Sequence, residues 1–196
     1  LIDTLELSLH MATTQTVQIH LQNATAPWLS LLVTPPGTAV TSLVKPPTGY
    51  ALRIVQGKNC TTPAGIFKEF ARALEFPDYF GHNWDALEEC LADLGWLPAK
   101  GYVVLITEAQ SVIPGDDEEY ETLLEVLNDA GEAWSKGQTA DERRAPFHVF
   151  FVVSEQNKSK RKHWGLAELP SLERKTPGPT RSTTRSVKPS TRRSTA

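Results

Sequence analysis

The sequence predicts an α/β domain: a small three-stranded parallel sheet with helices packed on it, preceded by an extended amino-terminal segment and followed by a disordered tail. Three observations carry this reading. The runs 50–55, 102–106 and 147–153 are short and mostly apolar, and 102–106 is apolar throughout, as a strand buried on both faces is. Between them lie stretches whose apolar residues recur at helical spacing. The resulting order, strand–helix–helix–strand–helix–strand, suits parallel strands joined by right-handed crossovers.

Taken in order, residues 1–49 are rich in Thr and Pro, and hold two β-type runs. In 16–21, Val17, Ile19 and Leu21 alternate with polar residues; in 28–33, Trp28 leads Leu-Ser-Leu-Leu-Val. A hairpin of their own, an extra edge on the central sheet and a poorly ordered extension all fit these runs. From Tyr50 the signals sharpen. A strand ends at Gln56-Gly57, and Thr62 ahead of Pro63 is an N-cap followed by a first-turn proline. The helix it opens repeats apolar residues at Ile66, Phe67, Phe70, Ala71, Ala73 and Leu74. Pro77 and Gly81 punctuate a loop, and Asn83 caps a second helix reaching about Leu94. Pro114-Gly115 marks a turn, and Asp116 to Glu119 set acids in the first turn of a third helix, where the dipole favours them. Tyr120, Leu123, Leu124, Leu127 and Trp134 keep its apolar face. Residues 50–154 thus read as one domain. Residues 155–196, Ser/Thr/Pro-rich and basic, bury too little surface to offset their ordering entropy.

Composition narrows the function. With 40% hydrophobic and 22% charged residues the chain is neither fibrous nor wholly disordered. The run 147–153 falls far short of the roughly 18 apolar residues a membrane span needs. Two cysteines exclude a disulfide scaffold and a Cys-only zinc site. Residue 1 is Leu and no basic segment leads an apolar core, so a cytoplasmic protein is expected, its start at Met11 or upstream of the sequence. The net charge of −3 conceals a segregation: residues 50–154 hold 8 Lys+Arg against 18 Asp+Glu, and residues 155–196 hold 11 against 3. Such asymmetry speaks of partners more than of fold.

The segment Phe76-Pro-Asp-Tyr-Phe-Gly-His-Asn-Trp-Asp-Ala-Leu-Glu-Glu-Cys-Leu91 concentrates the information. Stepping about 100° per residue from Trp84 puts Trp84, Leu87, Leu91 and Leu94 in one arc, and Glu88, Asp85, Glu89 and Asp93 in another. The third helix repeats the pattern, with Glu118, Glu121, Glu125, Asp129 and Glu132 outward. Charge runs on helices are ordinarily solvated faces. Here, acids at i,i+3 and i,i+4 repel one another with few bases to relieve them, and a cationic partner is the economical explanation.

Other chemistry is weaker. His82, Asp85 and Glu89 share a helical face and suggest a metal-binding enzyme, but one nitrogen and two oxygens make a poor zinc set. Cys90 sits at the border of the apolar face, where a thiol is usually inert. The basic stretches Lys158–Lys162 and Arg181–Arg193 suit weak, salt-sensitive contact with nucleic acid. Association of the tail with the acidic face in the same molecule is a further expectation from the charges.

The same segment resembles the signature of the barstar family, intracellular inhibitors of secreted bacterial ribonucleases: Pro-acid-Tyr-aromatic-Gly-x-Asn-x-Asp-Ala-Leu-x-acid-Cys-Leu. Pro77, Tyr79, Gly81, Asn83, Asp85, Ala86, Leu87, Glu89, Cys90 and Leu91 match it, with Asp78 and Phe80 as like replacements. The resemblance covers residues 50–154. It implies a cytoplasmic immunity protein that is monomeric when free, has no catalytic activity, cofactor or metal, and blocks a basic barnase-type ribonuclease one-to-one. In such inhibitors the loop and second helix enter the enzyme's active site, and a carboxylate stands in for a phosphate. Tyr79 would be the aromatic anchor, Asp85 and Glu89 the charged hot spots, Asn83 the cap, and Gly81 the point of backbone approach. Phe80, His82 and Glu88 complete the expected contact set, with Asp129 on the third helix as a further acidic contact. Departures are Glu89 where the best-known member has Asp, Glu88 in place of an apolar aromatic, His82 in place of an acid, and Trp84 in place of a smaller residue.

Overall fold

The computed structural model describes residue 15 and residues 17–169. Its elements are α1 (17–21), β1 (Leu29–Thr34), α2 (Val40–Leu43), β2 (Ala51–Gln56), α3 (Pro63–Leu74), α4 (Trp84–Asp93), β3 (Tyr102–Thr107), α5 (Asp117–Lys136), β4 (Phe147–Ser154) and β5 (Ala167–Glu168). From residue 50 to 154 the order is the one the apolar spacing predicts.

The sheet has five strands, not three. They run in the order β2-β3-β4-β1-β5, and every pairing is parallel. β1 is paired along its whole length with β4, from Leu29 opposite Val149 to Thr34 opposite Ser154. The described part of the amino-terminal segment therefore belongs to the fold and is not an extended appendage. Only one of its two β-type runs is a strand. The run at 16–21 is helical where described, and its spacing explains the misreading: Val17 and Leu21 are four apart and fully buried, while Ile19 between them is 59% exposed. Alternation over so few residues fits a strand; burial of i and i+4 alone fits a helix.

Each face of the sheet has its own layer. α3, α4 and α5 cover one, closing a core around Phe70, Leu87, Leu91, Tyr102, Trp134 and Phe151. α1 and α2 cover the other, where Val17, Leu21, Leu43 and Val44 meet Val103, Leu105, Phe150 and Val152. Coverage on both sides is why β3 and β4 are apolar at nearly every position, the exceptions being Thr107, His148 and Ser154.

Order also continues past residue 154, where a tail was expected. A 3-10 turn spans Glu155–Lys160, and β5 pairs Ala167 and Glu168 with Ser30 and Leu31. Arg161 is the fastening. Its guanidinium lies 3.7 Å from the Tyr120 ring centre and donates to the Val112 and Ile113 carbonyls, while Tyr120 Oη donates to the Trp164 carbonyl at 3.1 Å. The rest of the expected tail, 170–196, lies outside the described residues.

One buried carboxylate ties α3 to β2. Glu69 is 4% exposed and accepts from Arg72, from Asn59 Nδ2 and, at 2.9 Å, from the Gln56 backbone N–H. Burial alone would raise its pKa, but these donors outweigh it and lower the carboxyl below its ordinary 4.5. A carboxyl depressed in the folded state stabilises fully above its unfolded pKa and loses that contribution as pH falls through the folded value. Glu69→Gln is expected to cost about 1–3 kcal/mol at neutral pH. In urea unfolding, the gap between the two proteins should narrow as pH falls below about 4.5.

The two-layer arrangement carries its own test. Deleting residues 1–44 should leave a chain that self-associates in sedimentation velocity, because Val103, Leu105, Phe150 and Val152 lose their cover. A monomeric, fully folded deletion would contradict it.

Candidate functional site

The loop between α3 and α4 is held by rings that turn inward. α3 ends at Glu75, in the left-handed region at φ 57°. Phe76 then packs on Trp96, with centroids 5.7 Å apart, and Phe80 packs on Phe76 at 5.0 Å and on Phe67 at 6.5 Å. Trp96 Nε1 closes the assembly by donating to the Leu74 carbonyl at 2.9 Å. Tyr79, on the same loop, is 72% exposed, the most exposed large apolar side chain among the described residues. A buried and a half-buried phenylalanine thus present one bare tyrosine.

The helix that follows is set rigidly. His82 adopts φ 53°, its Nδ1 lies 2.8 Å from the Phe80 carbonyl, and its ring leans on Phe80 at 4.7 Å. Asn83 then caps α4, its side chain accepting the Ala86 N–H at 2.8 Å. Two tryptophans pin α4 to α5. Trp84 Nε1, near the start of α4, donates to Glu119 in the first turn of α5 at 2.9 Å; Trp134 Nε1, near the end of α5, donates to the Leu91 carbonyl at 2.8 Å. Start meets start and end meets end, so the helices run parallel, and their positive dipole ends support the acids gathered there, Asp85 among them.

Leu87 and Leu91 are fully buried, and Asp85, Glu88 and Glu89 are exposed, as the helical-wheel arithmetic predicts. Tyr79, Gly81, Ala86, Glu89, Cys90 and Asp93 line a cleft of about 140 Å³, with Phe80 behind them. Loss of hydration, then the Asp93 carboxylate and Cys90, push the Tyr79 phenol up, so it is a hydrogen-bond donor at neutral pH. Burial, then Asp93 and Glu89, push the Cys90 thiol up as well, which keeps it protonated.

Among the described residues, no ion pair involves Asp85, Glu88, Glu89 or Asp93. Five of the eight bases in residues 50–154 are paired elsewhere: Arg53 with Glu75, Lys58 with Glu108, Arg72 with Glu69, Lys136 with Glu132 and Arg143 with Asp141. The α4 face is left as unneutralised carboxylate.

The structure brings Tyr79, Gly81 and Glu89 to one cleft, with Asp85 and Glu88 on the same exposed helix and Asn83 and His82 shaping its start. Two expected contacts stand apart. Phe80 is 5% exposed and belongs to the core, so it supports the loop rather than meeting a partner. Asp129 is exposed but lines a different cleft, of about 560 Å³, with Pro27, Leu29, Leu124 and Leu166. Ala86, Cys90 and Asp93 are the lining residues not included in the expected set. The wheel had Asp93 on the acidic arc, but only the loop's path shows that Tyr79 reaches the last turn of α4. Among the described residues, no group of three or more His, Cys, Asp or Glu is arranged to hold a metal ion. No described helix is long and apolar enough to cross a membrane.

A family model described as barstar (barnase inhibitor) matches residues 50–152, the stretch from β2 through most of β4. The chain belongs to the barstar family. No curated protein matches it. Of solved structures, it is similar to the ORC2 protein of Aeropyrum pernix, determined in its ADPNP–ADP complexes, at TM-score 0.50 and 17% identity. That likeness covers 83% of this chain and 47% of the other, so the chain spans less than half of that neighbour. At such identity it reports a shared parallel α/β architecture. The barstar match begins just before β2 and ends within β4, so α1, β1, α2 and β5 lie outside the matched family domain.

The cap makes a local prediction. Asn83→Ala should cost about 1 kcal/mol in urea unfolding, the usual worth of an N-cap side chain, with the circular dichroism of the folded state unchanged.

Proposed function

We propose that this barstar-family protein is an intracellular inhibitor that binds and blocks the basic active site of a barnase-type ribonuclease, one copy to one enzyme. The observation that carries the reading is the unpaired carboxylate face of α4 beside an exposed tyrosine. An enzyme that binds RNA must hold a polyanion with Arg, Lys and His, and a rigid row of carboxylates is complementary to such a site. Glu89 and Asp85 would take the places of phosphates, and Tyr79 would lie on the rings and backbone between them. No bond is made or broken in this mechanism: inhibition is occlusion, and the protein has no catalytic role. Its setting would be a bacterial toxin and immunity pair, in which the inhibitor protects the cell that makes the ribonuclease.

Several features support this reading beyond charge. α4 is fixed by its cap and by two tryptophan hydrogen bonds, so little ordering entropy is lost on binding. Long-range attraction between a negative face and a positive cleft speeds association and weakens with salt. Glu89 is one methylene longer than the family's usual Asp, and Glu88 is charged where that member is apolar. Both favour a target whose cationic groups lie slightly farther from the helix.

The test is RNA cleavage by a barnase-type ribonuclease titrated with the full chain at low and physiological salt. Cleavage should stop at a one-to-one ratio. Glu89→Lys should weaken inhibition by about 2–5 kcal/mol, the range measured for charge pairs in interfaces, barnase–barstar among them. Its circular dichroism should be unchanged, because the side chain is exposed in the free protein. Tyr79→Ala should also weaken it, whereas Asp129→Asn should change it little. Absence of inhibition at micromolar concentration would turn the search to another basic protein partner.

A further inference from the structure

Two histidines meet where the amino-terminal segment lies on the sheet, away from the α4 face. His148 on β4 is fully buried, and its ring centre is 4.6 Å from that of His20 on α1. His148 Nε2 lies 2.8 Å from the Asn23 carbonyl; a carbonyl only accepts, so this nitrogen carries the proton. His148 Nδ1 is then a buried lone pair without a partner. His20 Nε2 is likewise buried and unpartnered among the described residues, with the Pro27 carbonyl beside the ring. A proton on either bare nitrogen would find no acceptor there.

The surroundings offer no compensation. On this face β1 presents Ser30 and Leu32, β3 Val103 and Leu105, and β4 Phe150 and Val152. Phe150 lies against both rings, at 6.0 Å from His20 and 6.4 Å from His148. The connecting loop adds the carbonyls of Asn23 and Pro27, and the Tyr50 phenol is bonded to the Leu21 carbonyl. None of these groups titrates in the acid range, and among the described residues no carboxylate acts on either ring.

We propose that His20 and His148 form an acid-released latch: neutral, they hold α1 and the loop behind it against the sheet; protonated, they lift this cover and bare the apolar face beneath. Burial, then the neighbouring His20, hold His148 down to about 4 from its ordinary 6.5, and burial lowers His20 too. Above pH 6.5 both states are neutral and closure is independent of pH. Below it, the lifted form takes up protons that the closed form refuses. Closure therefore weakens by up to tenfold per histidine per pH unit, on the order of 100-fold for His148 between neutral pH and pH 4. β1 is paired along its full length with β4, and this pairing keeps the opening local to the cover.

The test uses the full chain and two readouts from about pH 7.5 to 4.5: fluorescence of an anilinonaphthalene sulfonate dye, which binds bared apolar surface, and near-ultraviolet circular dichroism, which reports the packed tryptophans between α4 and α5. Dye binding should rise as pH falls below about 6.5, before the tryptophan signal changes. His148→Phe should abolish most of the rise. His20→Phe, at a half-buried position, should reduce it and serves where His148→Phe does not fold. A dye signal flat to pH 4.5, a rise that coincides with loss of the tryptophan signal, or an unchanged rise in whichever of these variants fold would each overturn the latch.

Discussion

The parallel pinning of α4 to α5 by two indole N–H groups is the constraint on which the candidate site depends. Trp84 and Trp134 sit on opposite helices, and each donates across the seam, so neither helix can slide or tilt without stranding a buried donor. The Trp134 bond runs to the Leu91 carbonyl, in the turn that also carries Asp93 and one wall of the Tyr79 cleft. Trp134 in turn packs on Tyr102 of β3, with ring centres 4.8 Å apart, and Tyr102 donates to the Leu97 carbonyl. The acidic helix is therefore registered to the sheet through a chain of aromatic contacts. Geometry of this quality matters more to a binding face than to stability, because a carboxylate displaced by an ångström no longer meets its cation.

How that face tolerates its own charge follows from the same arrangement. Unpaired acids on adjacent turns repel, and the described ion pairs lie elsewhere on the molecule. Two things make the repulsion bearable. The helices start at the same end, where both dipoles favour negative charge, and the acids are exposed, where water screens them. Stability forgone in the free protein in this way is recovered when a cationic surface arrives. Glu69 shows the opposite solution: one carboxylate, buried, satisfied on both oxygens and depressed in pKa. The chain thus separates carboxylates that build the fold from carboxylates that are left for something else.

Much of this was legible in the sequence because it is local. Thr62-Pro63 and Asn83 are caps whose roles follow from side-chain chemistry within three residues, and both bonds are present. The acidic arc of α4 needs only the helical period. What could not be read is what depends on distant partners. The run at 28–33 had strand composition, but nothing within it says that it inserts beside β4. Val17 and Leu21 satisfied a period of two as well as a period near four, and only the apolar face they cover decides between them. Arg161 stands in a basic run that reads as solvated tail, yet its guanidinium closes over Tyr120 and two loop carbonyls. Phe80 matched a signature, and the signature does not distinguish a residue that touches a partner from one that positions its neighbour.

The elements outside the matched barstar domain also explain why its sheet can be so apolar. A three-stranded sheet covered by α3, α4 and α5 alone would leave Val103, Leu105, Phe150 and Val152 facing water, an apolar patch of the kind that drives association. Here α1 and α2 close that face, β1 shields the edge of β4, and β5 pairs with Ser30 and Leu31 of β1 where Arg161 brings the chain back. The cover and the acidic face lie on opposite layers, and their chemistry is opposite too: one is apolar with two imidazoles that each leave one nitrogen unpartnered among the described residues, the other is carboxylate with none of its charge in a described ion pair. Loss of the cover would therefore leave the α4–α5 seam in place, since the tryptophan bonds that set it do not involve the amino-terminal segment. The two surfaces can be altered independently, and a substitution in one is a control for the other.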